Sequence, residues 1–225
     1  MAGDWSDVHH RHGFGVQRWP DGSSYEGSWQ KDKACGKGAL KHADGDVYEG
    51  EWLDDKAHGY GVYKHANGTE YKGNWKEDKQ HGHGVETWPD KAMYTGDYFE
   101  GKKHGRGELR FSDGSRYQGD FKLNEIEGTG IYAWKDGRKY TGEWRGSKMN
   151  GKGEMEWPDK RYYKGDFKDD KKHGHGLFRW PDNRCYQGDW VAGKQEGEGW
   201  MINADGEGKK FKWENGLQVR EIEPS

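Results

Sequence analysis

The chain has only two cysteines in 225 residues, Cys35 and Cys185. It has no apolar run long enough to span a bilayer, and Met1 to His12 is too polar for a secretory signal. An excess charge of one sign is also missing. The 37 Lys and Arg stand against 40 Asp and Glu, a formal net charge of -3, which removes the unopposed basic surface that nucleic acid requires. Apolar residues make up 30% and charged residues 34%, with a mean hydropathy of -1.40. Such values by themselves suggest disorder. Gly-x-x-x-x-Gly-Lys-Ser/Thr, His-Glu-x-x-His, Gly-x-Ser-x-Gly and Cys-x-x-Cys units are all absent, so no familiar phosphate, zinc, nucleophile or redox motif marks a catalytic centre.

What is abundant is aromatic residues and glycine: 13 Trp, 13 Tyr, 7 Phe and 38 Gly. They are periodic. Tyr-x-Gly-x-aromatic begins at Tyr25, Tyr48, Tyr71, Tyr94, Tyr117, Tyr140, Tyr163 and Tyr186, with a step of 23 residues each time. Gly-x-Gly keeps the same step from 13/15 to 197/199, giving nine such units against eight tyrosine units. A strict period of this length identifies a repeat array. The surplus Gly-x-Gly implies a partial first repeat, with Gly3-Asp4-Trp5 as its damaged strand.

Residues two apart share one face of a strand. Tyr48, Gly50 and Trp52 then lie on one face, with Glu49 and Glu51 on the other. Gly130, Tyr132 and Trp134 repeat the parity, as do Gly153, Met155 and Trp157. Glycine beside each ring leaves space for the ring to lie across the neighbouring strand. A helix is excluded, because each of these glycines would cost it about 1 kcal/mol. Asp44-Gly45, Asn67-Gly68, Asp113-Gly114 and Asp136-Gly137 are hairpin signals, so neighbouring strands pair as an antiparallel meander. The expectation is an all-β, elongated, single-layer antiparallel meander of about nine hairpins. At roughly 4.8 Å per strand it would extend about 85 Å. In such a ribbon Cys35 and Cys185 lie about 60 Å apart, beyond the reach of a disulfide. Two free thiols in a reducing compartment is the plain reading, with intermolecular bonding as the alternative.

Tyr-x-Gly-x-Trp, a loop and then His-Gly-x-Gly resemble the MORN (membrane occupation and recognition nexus) repeat. Residues 48 to 70, YEGEWLDDKAHGYGVYKHANGTE, match that pattern almost throughout. The resemblance divides the chain into an N-terminal segment with a partial repeat (1-12), a MORN array (13-213) and a C-terminal cap or tail (214-225). It implies a non-enzymatic structural scaffold and protein-interaction module in a cilium or flagellum axoneme or the cytoskeleton, similar to the MORN components of the radial spoke head. Its partners would be other proteins of that assembly. The alternatives are a membrane or phosphoinositide adaptor that binds anionic lipid, and a regulatory module for an enzyme on another chain. No cofactor or metal is expected.

Two surfaces are candidates. Trp88, Trp134, Trp157 and Trp180 precede the turns and would line a partner-binding groove on an aromatic face too large to be covered by a single sheet. Rings nearer glycine, such as Tyr71, Trp75, Tyr140 and Trp144, read as structural. Lys33, Lys56, Lys79, Lys102, Lys148, Lys171 and Lys194, in the loop between the strands of each repeat, form a candidate anion-binding edge. Glu125 interrupts that ladder, and Asp32, Asp55, Asp78 and Asp170 beside the lysines favour a self-neutralised surface.

His58, His81 and His104 share a register, but ladder steps of about 10 Å are too wide for one zinc ion. His9, His10 and His12 could bind metal locally, although an exposed polar terminus explains them as well. Asp21, Asp44, Asp90, Asp113, Asp136, Asp159, Asp182 and Asp205 read as turn formers. At the end, Lys209 and Phe211 replace the tyrosine and glycine. Leu217, Val219 and Ile222 would fold back over the last strand; a free end strand would instead support homodimerisation by strand pairing.

Overall fold

The computed structural model of the chain describes residues 10–223; Gly3-Asp4-Trp5 and His9 lie outside them. Among the described residues there are nineteen β-strands and no helix. The chain divides into two compact units, Met1–Ser112 with Lys122–Asn124, and Asp113–Phe121 with Glu125–Ser225.

The first unit contains β1 (Gly13–Arg18), β2 (Ser24–Gln30), β3 (Lys33–Lys41), β4 (Val47–Leu53), β5 (Lys56–Lys64), β6 (Glu70–Lys76), β7 (Lys79–Thr87), β8 (Met93–Phe99) and β9 (Lys102–Arg110). The second unit runs from β10 (Arg116–Lys122), whose last residue is grouped with the first unit, through β11 (Glu125–Ala133), β12 (Lys139–Arg145), β13 (Lys148–Glu156), β14 (Tyr162–Lys168), β15 (Lys171–Arg179), β16 (Cys185–Val191), β17 (Lys194–Ile202), β18 (Gly208–Glu214) and β19 (Leu217–Glu221). Within each unit, strands pair antiparallel with their neighbours in sequence, as expected of a meander.

Parity sets the core. In β4 the burial alternates so that Tyr48 and Trp52 are buried while Glu49 and Glu51 are exposed. Gly50 pairs with Gly61 across β4 and β5. A Cβ on Gly50 would stand 2.5 Å from both the Gly61 Cα and the Tyr48 hydroxyl. The ring thus occupies the volume that two side chains would otherwise fill. The register of β4 with β5 shifts between Gly50 and Trp52, and the Tyr48 hydroxyl donates to the carbonyl of the skipped residue, Glu51, at 2.9 Å. The same bond recurs from Tyr71 to Asn74 and from Tyr163 to Asp166. A buried hydroxyl needs such a partner, and the bulge provides it.

The Asp-Gly and Asn-Gly pairs close hairpins between neighbouring strands, as expected. They sit in three-residue turns: Trp19 donates to the Ser23 carbonyl and accepts from Gly22, whose φ is 93°. The aspartate shapes the turn through its side chain, as Asp21 accepts from the Ser23 amide and Asp113 from the Ser115 amide, so the turn reading of that series holds. Two-residue turns close the other end of each repeat, with positive φ at both residues: Asp54 and Asp55 at 50° and 65°, Asp169 and Asp170 at 48° and 66°. These are primed turns, whose twist matches paired strands.

The tight turns also join successive repeats. The Asp55 amide donates to the Ala34 carbonyl at 3.0 Å, while an Asp55 carboxylate oxygen accepts from the Ala34 amide at 2.6 Å. Asp78 clasps Ala57 in this way, Asn124 clasps Lys103, and Asp170 clasps Met149. These aspartates therefore cap backbone groups of the preceding repeat. They are not primarily neutralisers of the neighbouring lysines.

At the C-terminal end, Leu217 and Val219 do not fold back over β18. They lie in β19, which extends the sheet by one strand, and both are exposed. Ile222 continues that pairing by donating its amide to the Lys210 carbonyl.

Candidate partner-binding face

Each unit has a continuous line of edge-to-face rings in place of a second layer. Tyr25 meets Trp29 at 5.0 Å and Trp52 at 5.2 Å, and Tyr48 then meets Trp52 and Trp75. In the second unit the line passes from Tyr117 through Trp144, Tyr140, Phe167, Tyr163, Trp190 and Tyr186 to Trp213. Edge-to-face pairs contribute about 0.5–1.5 kcal/mol each beyond area burial. Indole nitrogens add bonds to glycine carbonyls, as from Trp52 to Gly38 at 3.1 Å and from Trp190 to Gly176 at 3.2 Å. These rings are the core.

The four tryptophans proposed for the groove occupy different places. Trp88, Trp134, Trp157 and Trp180 each close a three-residue turn with both backbone groups, and each is half-buried. Trp157 and Trp180 are brought together by Phe178, at centroid distances of 6.0 and 4.9 Å. Trp134 stacks beside Tyr132 at 4.5 Å. Trp88 belongs to the first unit, where the Lys103 ammonium lies 4.9 Å from its ring.

Further members of this surface went unread in the sequence. Trp19 closes the corresponding turn in the first unit and is 40% exposed; its Trp-Pro-Asp-Gly context carried the same signal as the other four. It lines a groove of about 880 Å³ whose walls include Tyr25, Trp29, Leu40 and Trp52. The Arg11 guanidinium covers Trp29 at 3.9 Å and is fixed by the Asp32 carbonyl and Gln17.

At three of the second unit's turns an arginine follows the turn aspartate by two residues. Arg138, Arg161 and Arg184 bond to Asp136, Asp159 and Asp182 at 2.7–2.8 Å. Their guanidinium carbons lie 5.0, 5.4 and 5.9 Å from the rings of Trp134, Trp157 and Trp180. The spacing Trp-x-Asp-x-Arg encodes this arrangement, because the turn folds the fifth residue back beside the first.

Lys33, Lys56, Lys79, Lys102, Lys148, Lys171 and Lys194 are not loop residues, since the tight turn has only two. Each opens a strand and is exposed. Lys33, Lys79 and Lys148 pair with Asp54, Glu100 and Asp169 of the following repeat at 3.4, 2.5 and 3.6 Å. The lysines are separated by an intervening strand, so none meets another to form a focused anion site.

Cys35 and Cys185 are free thiols, bonded weakly to Gln30 and to the Asn183 carbonyl. His81 and His104 flank Phe99 at 5.5 and 5.7 Å. His10 pairs with Asp32. Among the described residues no three of His, Cys, Asp and Glu converge as metal ligands.

The repeat unit is thus a tyrosine over two glycines, a tight turn and a three-residue turn, closed by tryptophan in five repeats and by His42, His65 and Asn203 in three others. The MORN repeat matches residues 9–24, 25–47, 48–70, 71–93, 94–116, 117–137, 140–160, 163–183 and 186–208. The chain belongs to the MORN repeat family. The comparison with curated proteins gives no match. Among solved structures it is similar to the wild-type TCP10 domain of Danio rerio CPAP in complex with a peptide of Danio rerio STIL, with 12% identity, a TM-score of 0.54 and 98% of each chain covered. The same domain without the peptide is matched at 11% identity and a TM-score of 0.43, over 98% of this chain and 94% of that one. The TCP10c domain of Drosophila melanogaster Sas-4 is matched at 12% identity and 0.40, over 68% and 91%. At 12% identity the likeness of the MORN chain to the peptide-bound domain is one of fold.

Proposed function

We propose that this MORN chain is a non-enzymatic scaffold and protein-interaction module of a cytoskeletal assembly, a cilium or flagellum axoneme in the first instance, with radial spoke heads as the model. It would hold an extended segment of a partner protein along its turn-closing tryptophans. The observation that carries this reading is the separation of two aromatic sets. Tyr140 and Trp144 are 0% and 6% exposed and hold the sheet, whereas Trp134, Trp157 and Trp180 stay half-exposed at the turns, each beside a guanidinium. Aromatic and arginine side chains are the residue types that dominate binding hot spots. The CPAP domain, alike in fold, lends support, since it forms a complex with a peptide of STIL.

The test is retention of a tagged chain in detergent-extracted axonemes, followed by crosslinking in place. Retention that Trp157→Ala and Trp180→Ala weaken together supports the scaffold reading; a chain washed out wholly by detergent opposes it. The strand-opening lysines motivate a second reading, docking to anionic lipid. Sedimentation with anionic vesicles at low salt would favour it, and absence of binding would remove it. Co-purification with a kinase or methyltransferase would instead favour a regulatory role for an enzyme on another chain.

A further inference from the structure

Lys103 and Lys172 occupy the same repeat register, three repeats apart, and their surroundings differ. The Lys103 ammonium bonds to the Glu86 carboxylate at 2.8 Å, and the Tyr98 hydroxyl donates to the same Glu86 oxygen at 3.0 Å. Trp88 and Tyr94 supply ring faces at 4.9 and 5.1 Å. This is a complete site: a cation, aromatic walls, a carboxylate and a hydroxyl that orients it.

At Lys172 the cation remains and aromatic walls remain, but only Tyr163 keeps its register, with Tyr94; Phe178 and Trp190 stand where Leu109 and Phe121 do. Its ammonium lies 4.0 Å from the centroid of Trp190, 4.4 Å from Phe178 and 5.6 Å from Tyr163, with Trp157 reaching Phe178 from the turn. The carboxylate and hydroxyl are gone together, because Met155 stands where Glu86 does and Phe167 where Tyr98 does. Among the described residues no carboxylate pairs with Lys172; Arg161 is a charged neighbour and repels it. Burial, with that repulsion added, draws the ammonium down to about 8. The side chain is nevertheless half-buried, so it can be reached from solvent.

We propose that Lys172 is the recognition point for an acidic side chain of a partner, an Asp or Glu set between apolar residues in an extended segment that runs beside Trp157 and Phe178. This deepens, and rests on, the reading of the second unit's turn tryptophans as a partner surface. The occupant is indicated by charge complementarity, since the chain itself shows at Glu86 what such a cage accepts. A carboxylate arriving at Lys172 would restore the pairing that the Met155 and Phe167 exchange removed, and apolar neighbours would cover the rings. A charge-assisted bond in a water-poor cage is worth about tenfold or more in affinity.

The test is selection of a random dodecapeptide display library on the intact chain, on Lys172→Met and on the double variant Met155→Glu with Phe167→Tyr. The intact chain is expected to enrich peptides with one fixed Asp or Glu among apolar residues. Both variants should lose that acid preference, with about a tenfold fall in affinity for the selected peptides. The double variant rebuilds the Glu86 arrangement and guards against a folding defect in Lys172→Met. Apolar peptides without a fixed acid on the intact chain would overturn the Lys172 assignment and leave the tryptophan surface standing. An acid preference unchanged in both variants would also overturn it. Enrichment of no peptide on any of the three chains would sink both readings.

Discussion

The Tyr140 hydroxyl reaches across Gly142 and Gly153 to the Glu143 carbonyl at 2.8 Å, at the point where the register of β12 with β13 shifts. This bond couples the ring that forms the core to the irregularity that admits it. Tyr140→Phe keeps the ring and deletes the donor, leaving a half-buried carbonyl without that partner. A loss of about 1–2 kcal/mol is expected, read as a lower midpoint in urea with an unchanged slope.

Gly119 is more demanding. A Cβ there would stand 2.5 Å from both the Gly130 Cα and the Thr129 carbonyl oxygen, and would meet the Tyr117 hydroxyl as well. Backbone cannot move aside as a flexible side chain can. Gly119→Val should therefore displace the Tyr117 ring and disrupt its edge-to-face contacts with Phe121 and Trp144. The thermal midpoint is expected to fall by several degrees; an unchanged midpoint would contradict the packing described.

The rings over glycine were legible because parity and a 23-residue step place them on one face without knowledge of any contact. Glu86 and Met155, by contrast, look alike in a single sequence, as unremarkable variants at one position of a repeat. Their meaning comes from the lysine that lies two strands further along the sheet. The tight turns were also hidden. Asp54-Asp55 and Asp169-Asp170 carry no glycine, and their positive φ is sustained by the clasp to Ala34 and Met149, a contact made one repeat away. Arg161 was hidden for a different reason: an arginine beside an aspartate reads as ordinary surface until the turn brings it over Trp157.

That clasp yields a contrast within one turn. Asp55→Asn retains both the acceptor for Ala34 and a tolerance of positive φ, so it should leave stability nearly unchanged, as the natural Asn124 implies. Asp55→Ala loses both and should cost about 1–2 kcal/mol. Lys56→Ala, on the exposed strand-opening position, should stay within about 0.5 kcal/mol. Chemical denaturation of the three variants checks the ordering.

Burial pushes the Tyr25 and Tyr186 phenols up to about 12 and raises those of Tyr48, Tyr71, Tyr94, Tyr140 and Tyr163 as well. In the unfolded chain they ionise near the ordinary value of 10.0. Below that pH both states hold the protons and the stability is fully present. As pH rises from about 10 towards 12, the unfolded chain releases protons that the folded chain retains, so stability falls. Alkaline titration should show phenolate absorbance appearing together with loss of the folded circular dichroism signal. Gradual ionisation near pH 10 with the fold intact would mean that these rings are not buried.

Trp144 and Trp157 separate folding from recognition. Trp144 is 6% exposed, donates to the Gly130 carbonyl at 3.3 Å and meets Tyr117 and Tyr140 edge-on. Its removal to alanine should cost about 3–5 kcal/mol, because the cavity left lies between strands that have no second layer to collapse onto it. Trp157 touches Phe178 and is covered by Arg161, and its turn is held by backbone bonds that alanine would preserve. Trp157→Ala should cost roughly 1 kcal/mol in stability while weakening partner retention in extracted axonemes about tenfold or more, the scale of a binding hot spot. If Trp157→Ala destabilises as much as Trp144→Ala and leaves retention unchanged, the turn-closing indole is core and the partner surface lies elsewhere.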